Sequence, residues 1–122
     1  MNYTGVFGEI CAARYLRGNG FEILSANYRT RFGEIDIVAQ KDGVLSFIEV
    51  KTRSDGMIAP PAEAVDREKQ RKLSLAAAQY LQGEPPDTAA RFDVIEVCLD
   101  GSGTLLSVHH IPNAFGSTLA GA

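Results

Sequence analysis

Asp42-Gly43 constrains this chain more than any other pair of residues. It separates two runs rich in Ile, Val and Phe, Gly33 to Gln40 and Val44 to Thr52. A two-residue hairpin turn needs positive φ at both central positions, and Asp-Gly is among the dipeptides that adopt it best. The turn sets the register. With Lys41 facing Val44, Asp36 falls opposite Glu49. Opposed residues and residues two apart share a sheet face, so Glu34, Asp36, Val38, Phe47, Glu49 and Lys51 are expected on one face. Ile35, Ile37, Ile48 and Val50 are expected on the other.

Around this hairpin the apolar periodicity predicts a helix over residues 5–18, capped by Thr4 and ended by Gly18 or Gly20. A strand from Phe21 to Tyr28 follows. After a loop over Ser54 to Pro61, a second helix begins at Asp66, with Leu73, Ala76, Ala77, Tyr80 and Leu81 as its apolar stripe. Gly83-Glu84-Pro85-Pro86-Asp87 breaks it. Two strands, Arg91 to Leu99 and Leu105 to Ile111, flank an Asp100-Gly101-Ser102-Gly103 turn. The order is αβββαββ, an α/β class fold with one mixed five-stranded sheet flanked by helices. Residues 1–112 are expected to form the domain and 113–122 a poorly ordered tail.

At 122 residues the chain fits one domain with a real core. No apolar run is long enough to cross a bilayer, and the start lacks a basic stretch followed by an apolar one, so a cytoplasmic location is expected. Cys11 and Cys98 have no metal-ligand spacing and read as buried thiols. His109 and His110 are adjacent on a strand and point to opposite faces, a poor arrangement for one metal. Asp93 reads as a structural partner for a core arginine. The net charge of −3 disfavours a dedicated nucleic-acid binder, but the cations are grouped. Arg29, Arg31, Lys51 and Arg53 lie near the central strands, and Arg67, Lys69, Arg71 and Lys72 crowd one helix start, a local positive rim.

Two facing carboxylates on a covered sheet repel each other and lose solvation, which raises their pKa values unless a cation joins them. Asp36 and Glu49 are therefore candidate ligands for a magnesium or manganese ion, which accepts one or two carboxylates and keeps waters for a phosphate substrate. Lys51 is placed to hold an attacking water or offset developing charge. By spacing alone the same residues also fit a solvated hairpin face with an ordinary Glu49–Lys51 pair. Glu9 interrupts the apolar stripe Ala12, Ala13 and Leu16 of the first helix. It either leans toward the same site, pairs with a cation, or serves the helix dipole. Lys69 and Gln70 continue the second helix's stripe and face inward.

With these residues in view, the chain resembles the YraN-type family, whose fold is similar to that of Holliday-junction resolvases and restriction endonucleases, the PD-(D/E)xK group. The resemblance rests on Gly8-Glu9 with Ala12 and Tyr15-Leu16, Asn27-Tyr28-Arg29, Arg31-Phe32-Gly33-Glu34-Ile35-Asp36, and Phe47-Ile48-Glu49-Val50-Lys51-Thr52-Arg53. Ala64-Val65, Lys69-Gln70-Arg71, Arg91-Phe92-Asp93-Val94 and His110-Ile111-Pro112-Asn113-Ala114-Phe115 extend it over nearly the whole chain. Ile35 stands where the motif's name has proline. The resemblance implies a restriction endonuclease-like core with Asp36 and Glu49 as metal-binding acids, Lys51 as the catalytic lysine, Glu9 as the helix-borne acid, and Gln70 or Lys69 assisting.

The expected function is magnesium-dependent hydrolysis of phosphodiesters in structured or branched DNA. Arg29, Arg31, Arg53, Arg67, Lys69, Arg71 and Lys72 would contact the nucleic acid, and a homodimer would offer two sites to two strands. The alternative is a catalytically inactive nucleic-acid-binding or protein-interaction module on the same scaffold.

Overall fold

The structure is a computed structural model and describes residues 3–54 and 65–116. From the second residue of the expected loop over Ser54 to Pro61 onward, that loop lies outside the described residues, as do residues 117–122 of the expected tail. The chain runs α1 (Tyr3–Gly18), β1 (Glu22–Arg29), β2 (Glu34–Lys41), β3 (Val44–Arg53), α2 (Arg67–Leu81), β4 (Ala89–Leu99) and β5 (Leu105–Phe115). The strands form one sheet in the order β1-β2-β3-β4-β5. Every neighbouring pair is antiparallel except β3 with β4, where α2 supplies the crossover that parallel neighbours need. The expected mixed five-stranded sheet flanked by helices is the observed topology.

Asp42 and Gly43 both take positive φ, 52° and 78°, and Lys41 pairs with Val44, so the turn and register follow from the dipeptide. Asp66 caps α2, its carboxylate accepting from the Lys69 N–H at 2.8 Å. Thr4, the expected cap of α1, lies one residue inside that helix. Strand β5 passes Ile111 and Pro112 and ends at Phe115, which pairs with Phe92 in the sheet and stacks on its ring. Pro112 is tolerated because β5 is an edge strand with one side free of ladder bonds.

Each sheet face carries a core. On one, Cys11, Ala12 and Leu16 of α1 pack on Ile37, Ala39, Ile48, Ile95 and Val97. On the other, Leu73, Ala76 and Ala77 of α2 pack on Val38, Phe47, Phe92 and Val94. Cys11 and Cys98 are buried free thiols. Asp93 is buried and fully engaged, by Arg91, His110 and the Asn113 N–H, the structural role expected of it. His110 lies edge-on against Tyr15 and Phe21, while His109 is exposed.

The expected strict alternation along β2 breaks at one place. Ile35 packs in the α2-side core and Ile37 in the α1-side core, although residues two apart normally share a face. Between the pairs Ala26–Ile37 and Tyr28–Ile35 stands Asn27, with φ 55°, opposite Asp36. Asparagine tolerates this left-handed conformation better than other side-chain-bearing residues. The left-handed residue thus stands across from Asp36, at the point where β2 changes faces.

A candidate acidic site at the splayed end of the central hairpin

The β2–β3 ladder ends at Ile37–Ile48. Beyond it the strands diverge, and the Asp36 carboxylate takes the place of a backbone acceptor, receiving the Val50 N–H at 2.8 Å. Asp36 also shares a side-chain hydrogen bond with Glu49, so the two acids meet as the turn register requires. Burial, that contact and the charge of Glu49 push the Asp36 pKa up to about 8, against the opposing pull of the Val50 N–H and Lys69. Asp36 thus keeps its proton where the two carboxylates face each other away from bulk water.

Glu49 is 5% exposed. Its Oε2 lies 3.4 Å from Lys69 Nζ but has no partner in hydrogen-bonding geometry. Lys51, two residues on along β3, is half-buried. Gln70 is not brought to the acids by any hydrogen bond that it makes: its Nε2 donates to the Val65 carbonyl at 3.0 Å, which ties down the start of α2. Of the two residues proposed to assist from α2, Lys69 is the one in contact with the acids.

Glu9 approaches from the other side. Gly8 brings α1 so near β3 that a β-carbon there would collide with Thr52 Oγ1, and the next residue, Glu9, lines a groove with Val6, Ile10, Ala26, Asn27, Arg29, Asp36 and Ile37. The Glu9 pKa is raised, first by burial and then by Asp36 and Glu34, and lowered in part by Asn27. The Asn27 amide, turned with its nitrogen toward the acids, donates to Glu9 Oε1 at 3.1 Å and Glu34 Oε1 at 2.6 Å. Asn27 therefore both takes the left-handed backbone position in β1 and bridges two carboxylates. Its sequence signal was an asparagine interrupting a strand, a residue type depleted there. Replacing Asn27 with glycine keeps the backbone conformation and loses the two donors; alanine loses both. We expect Asn27→Ala to cost about 1–2 kcal/mol more than Asn27→Gly in urea unfolding, and equal costs would remove the backbone part of this role.

The residues of the proposed rim are mostly engaged. Arg29 pairs with Glu34, Arg53 with Glu96, Lys69 with Glu49 and Arg71 with Glu68. Arg31 stacks on Phe32, and Arg67 and Lys72 are exposed. Glu96 went unnoticed in the sequence. It is fully buried on β4 beside Lys51 in the sheet, and neither of its oxygens has a hydrogen-bond partner among the described residues.

Two oxygen-only ligands, Asp36 half-buried and Glu49 buried with one oxygen lacking a hydrogen bond, suit a hard divalent ion that keeps most of its waters. They do not make an all-protein cage: among the described residues no three or more His, Cys, Asp or Glu side chains are grouped to hold a metal. Glu9 lines the same groove as Asp36 and feels its charge. No helix among the described residues is long and apolar enough to cross a membrane.

Comparison with known proteins agrees with this architecture. The model of the uncharacterised protein family UPF0102 matches residues 8–97, which include Glu9, Asn27, Asp36, Glu49, Lys51 and Lys69. A UPF0102 protein of Alkaliphilus oremlandii is 44% identical over 114 residues, covering 91% of this chain and 96% of the relative. One of Geobacter metallireducens is 46% identical over 112 residues, covering 91% and 90%. One of Dictyoglomus thermophilum is 42% identical, covering 91% and 95%. The scaffold is nuclease-like, and the chain belongs to the UPF0102 family, the YraN-type family that its sequence resembles.

Proposed function

We propose that this protein is a metal-dependent endonuclease that hydrolyses phosphodiesters of structured or branched DNA. The observation that carries the reading is the hydrogen-bonded Asp36–Glu49 pair, the first half-buried and the second buried, at the point where β2 and β3 part. Such a pair is strained without a cation and relieved by one. Asp36 and Glu49 would hold magnesium or manganese. When bound, the ion would neutralise phosphate charge and make water a better nucleophile.

The chain's own groups do the remaining work. The Val50 N–H holds Asp36 in place. Lys69, 3.4 Å from Glu49, offsets part of the acids' charge and, with a divalent ion bound to them, would be available to substrate phosphate. Lys51, on β3 beyond Glu49, orients the attacking water or offsets charge on the phosphate. Glu9, with its raised pKa, accepts or returns a proton at the groove side. Arg31, Arg67 and Lys72 would meet the phosphate backbone.

The test incubates the purified protein with labelled four-way junctions, flaps, linear DNA and RNA, with magnesium or manganese, beside Asp36→Asn. Metal-dependent cutting by the wild type that the variant lacks is the expected result. Cutting that is absent, or equal in the variant, removes the enzyme reading. A second reading, an inactive binding module, is favoured by the Lys69–Glu49 contact, since a lysine there offsets part of one acid's charge without any metal. It predicts salt-sensitive DNA binding that survives Asp36→Asn and falls when Arg67, Lys69, Arg71 and Lys72 are neutralised.

A further inference from the structure

The outer face of α1 carries a second pattern. Tyr3, Val6, Phe7 and Ile10 are 76%, 47%, 40% and 50% exposed, at i, i+3, i+4 and i+7. The same face continues through Arg14 and Arg17, both exposed. The apolar end is continuous with the acidic site, because Val6 and Ile10 line the groove that holds Glu9, Asn27 and Asp36. One helix face thus presents two aromatic rings and two aliphatic side chains beside the acids, then two arginines farther away.

We propose that this face is a track for an unpaired nucleic-acid strand, with bases lying on Tyr3, Phe7 and Ile10 and phosphates on Arg14 and Arg17, leading the strand into the groove. The inference rests on the endonuclease reading and narrows its substrate class to nucleic acids that carry a single-stranded segment. The physical reason is access. In a continuous duplex the base faces are stacked on one another, whereas an unpaired base offers its face to an aromatic ring. Charge agrees: phosphates are repelled beside Glu9 and Glu34 and attracted at Arg14 and Arg17. A second copy of the chain is the less suited occupant. One helix face with four apolar side chains offers less than the roughly 800 Å² per partner of a standard interface, and a symmetric pairing about its apolar end would set two acidic grooves near each other.

The test measures fluorescence anisotropy of the full chain in EDTA with three labelled probes: a short single strand, its blunt duplex, and that duplex bearing a single-stranded flap. The single strand and the flap are expected to bind about tenfold more tightly than the duplex. Phe7→Ser/Ile10→Ser should remove that preference and leave duplex binding unchanged. Arg14→Gln/Arg17→Gln should weaken single-strand binding and lower its salt slope by about 1.4. Thermal melts equal to wild type show that both exposed-site variants are folded. Equal binding of single strand and duplex, or a preference untouched by either variant, overturns the proposal. So does light scattering that finds a wild-type dimer which Phe7→Ser/Ile10→Ser converts to monomer with unchanged binding. A parallel arm adds magnesium and scores cleavage. Stripe-dependent binding without cleavage upholds the track and sinks the endonuclease reading. Cleavage of all three probes alike, by wild type and both variants, does the reverse.

Discussion

Asp36→Asn is expected to make the metal-free protein more stable above neutral pH while abolishing its response to magnesium. An acid whose pKa stands at about 8 in the folded chain against an ordinary 3.8 keeps its proton where the unfolded chain has released it. The stability this provides is fully present below about pH 4 and is lost as pH rises toward and through 8. Asparagine imitates the protonated acid. Its oxygen still accepts the Val50 N–H and its nitrogen donates to Glu49. Each pKa unit corresponds to about 1.4 kcal/mol, and part of the shift comes from the hydrogen bond to Glu49, which asparagine keeps. The gain for Asp36→Asn is therefore expected at roughly 2–4 kcal/mol in urea unfolding at pH 8 to 9, and near zero at pH 4. Magnesium should stabilise the wild type but not the variant, with uptake near pH 7 releasing about one proton per ion. Cleavage, where the wild type shows it, should fall on the order of hundredfold or more. Superimposable pH profiles for the two proteins would mean that the carboxylates do not face each other as described.

Gly8→Ala should destabilise the fold although alanine is the better helix former. The added carbon collides with Thr52 Oγ1 and lies 3.0 Å from Thr52 Cβ, where helix and strand backbones are closest. Overpacking of this kind costs about 1–3 kcal/mol or more, against a propensity gain of about 1 kcal/mol. A net loss of about 1–2 kcal/mol is expected. Relief comes either from shifting α1 outward, which carries Glu9 away from Asn27, or from trimming Thr52. Thr52→Ala removes the Oγ1 and Cγ2 contacts, so the double variant should recover more than half of the loss in a double-mutant cycle. No recovery would place the cost elsewhere than in this contact.

The parts of the site that were legible are those set by one local element. Asp42-Gly43 dictated a turn, the turn dictated a register, and the register brought Asp36 to Glu49. Leu73, Ala76 and Ala77 announced the buried face of α2 by their spacing. The end of β5 was less legible, because Pro112 reads as a strand breaker until the strand is known to be an edge. Asn27 was visible as a residue but not as a bridge, since its partners Glu9 and Glu34 lie on other elements. Glu96 was hidden by its own chemistry: a glutamate amid apolar strand residues reads as an outward-facing charge until the sheet is seen to be covered there.

The amino-acid sequence by itself determined the element order, the central hairpin's register, the two apolar helix faces and the meeting of Asp36 with Glu49. Each follows from turn chemistry or from a period of 2.0 or 3.6 residues, which short-range sterics impose. Only the tertiary structure decided that Ile35 and Ile37 face opposite cores, that Glu9 shares a groove with Asp36 and is bridged to Glu34 by Asn27, and that Lys69 rather than Gln70 reaches Glu49. Those outcomes depend on how α1 and α2 dock and on where one left-handed asparagine falls in an edge strand. They are competitions among burial, charge and hydrogen bonding between residues far apart in the chain, and periodicity within a segment carries no information about them.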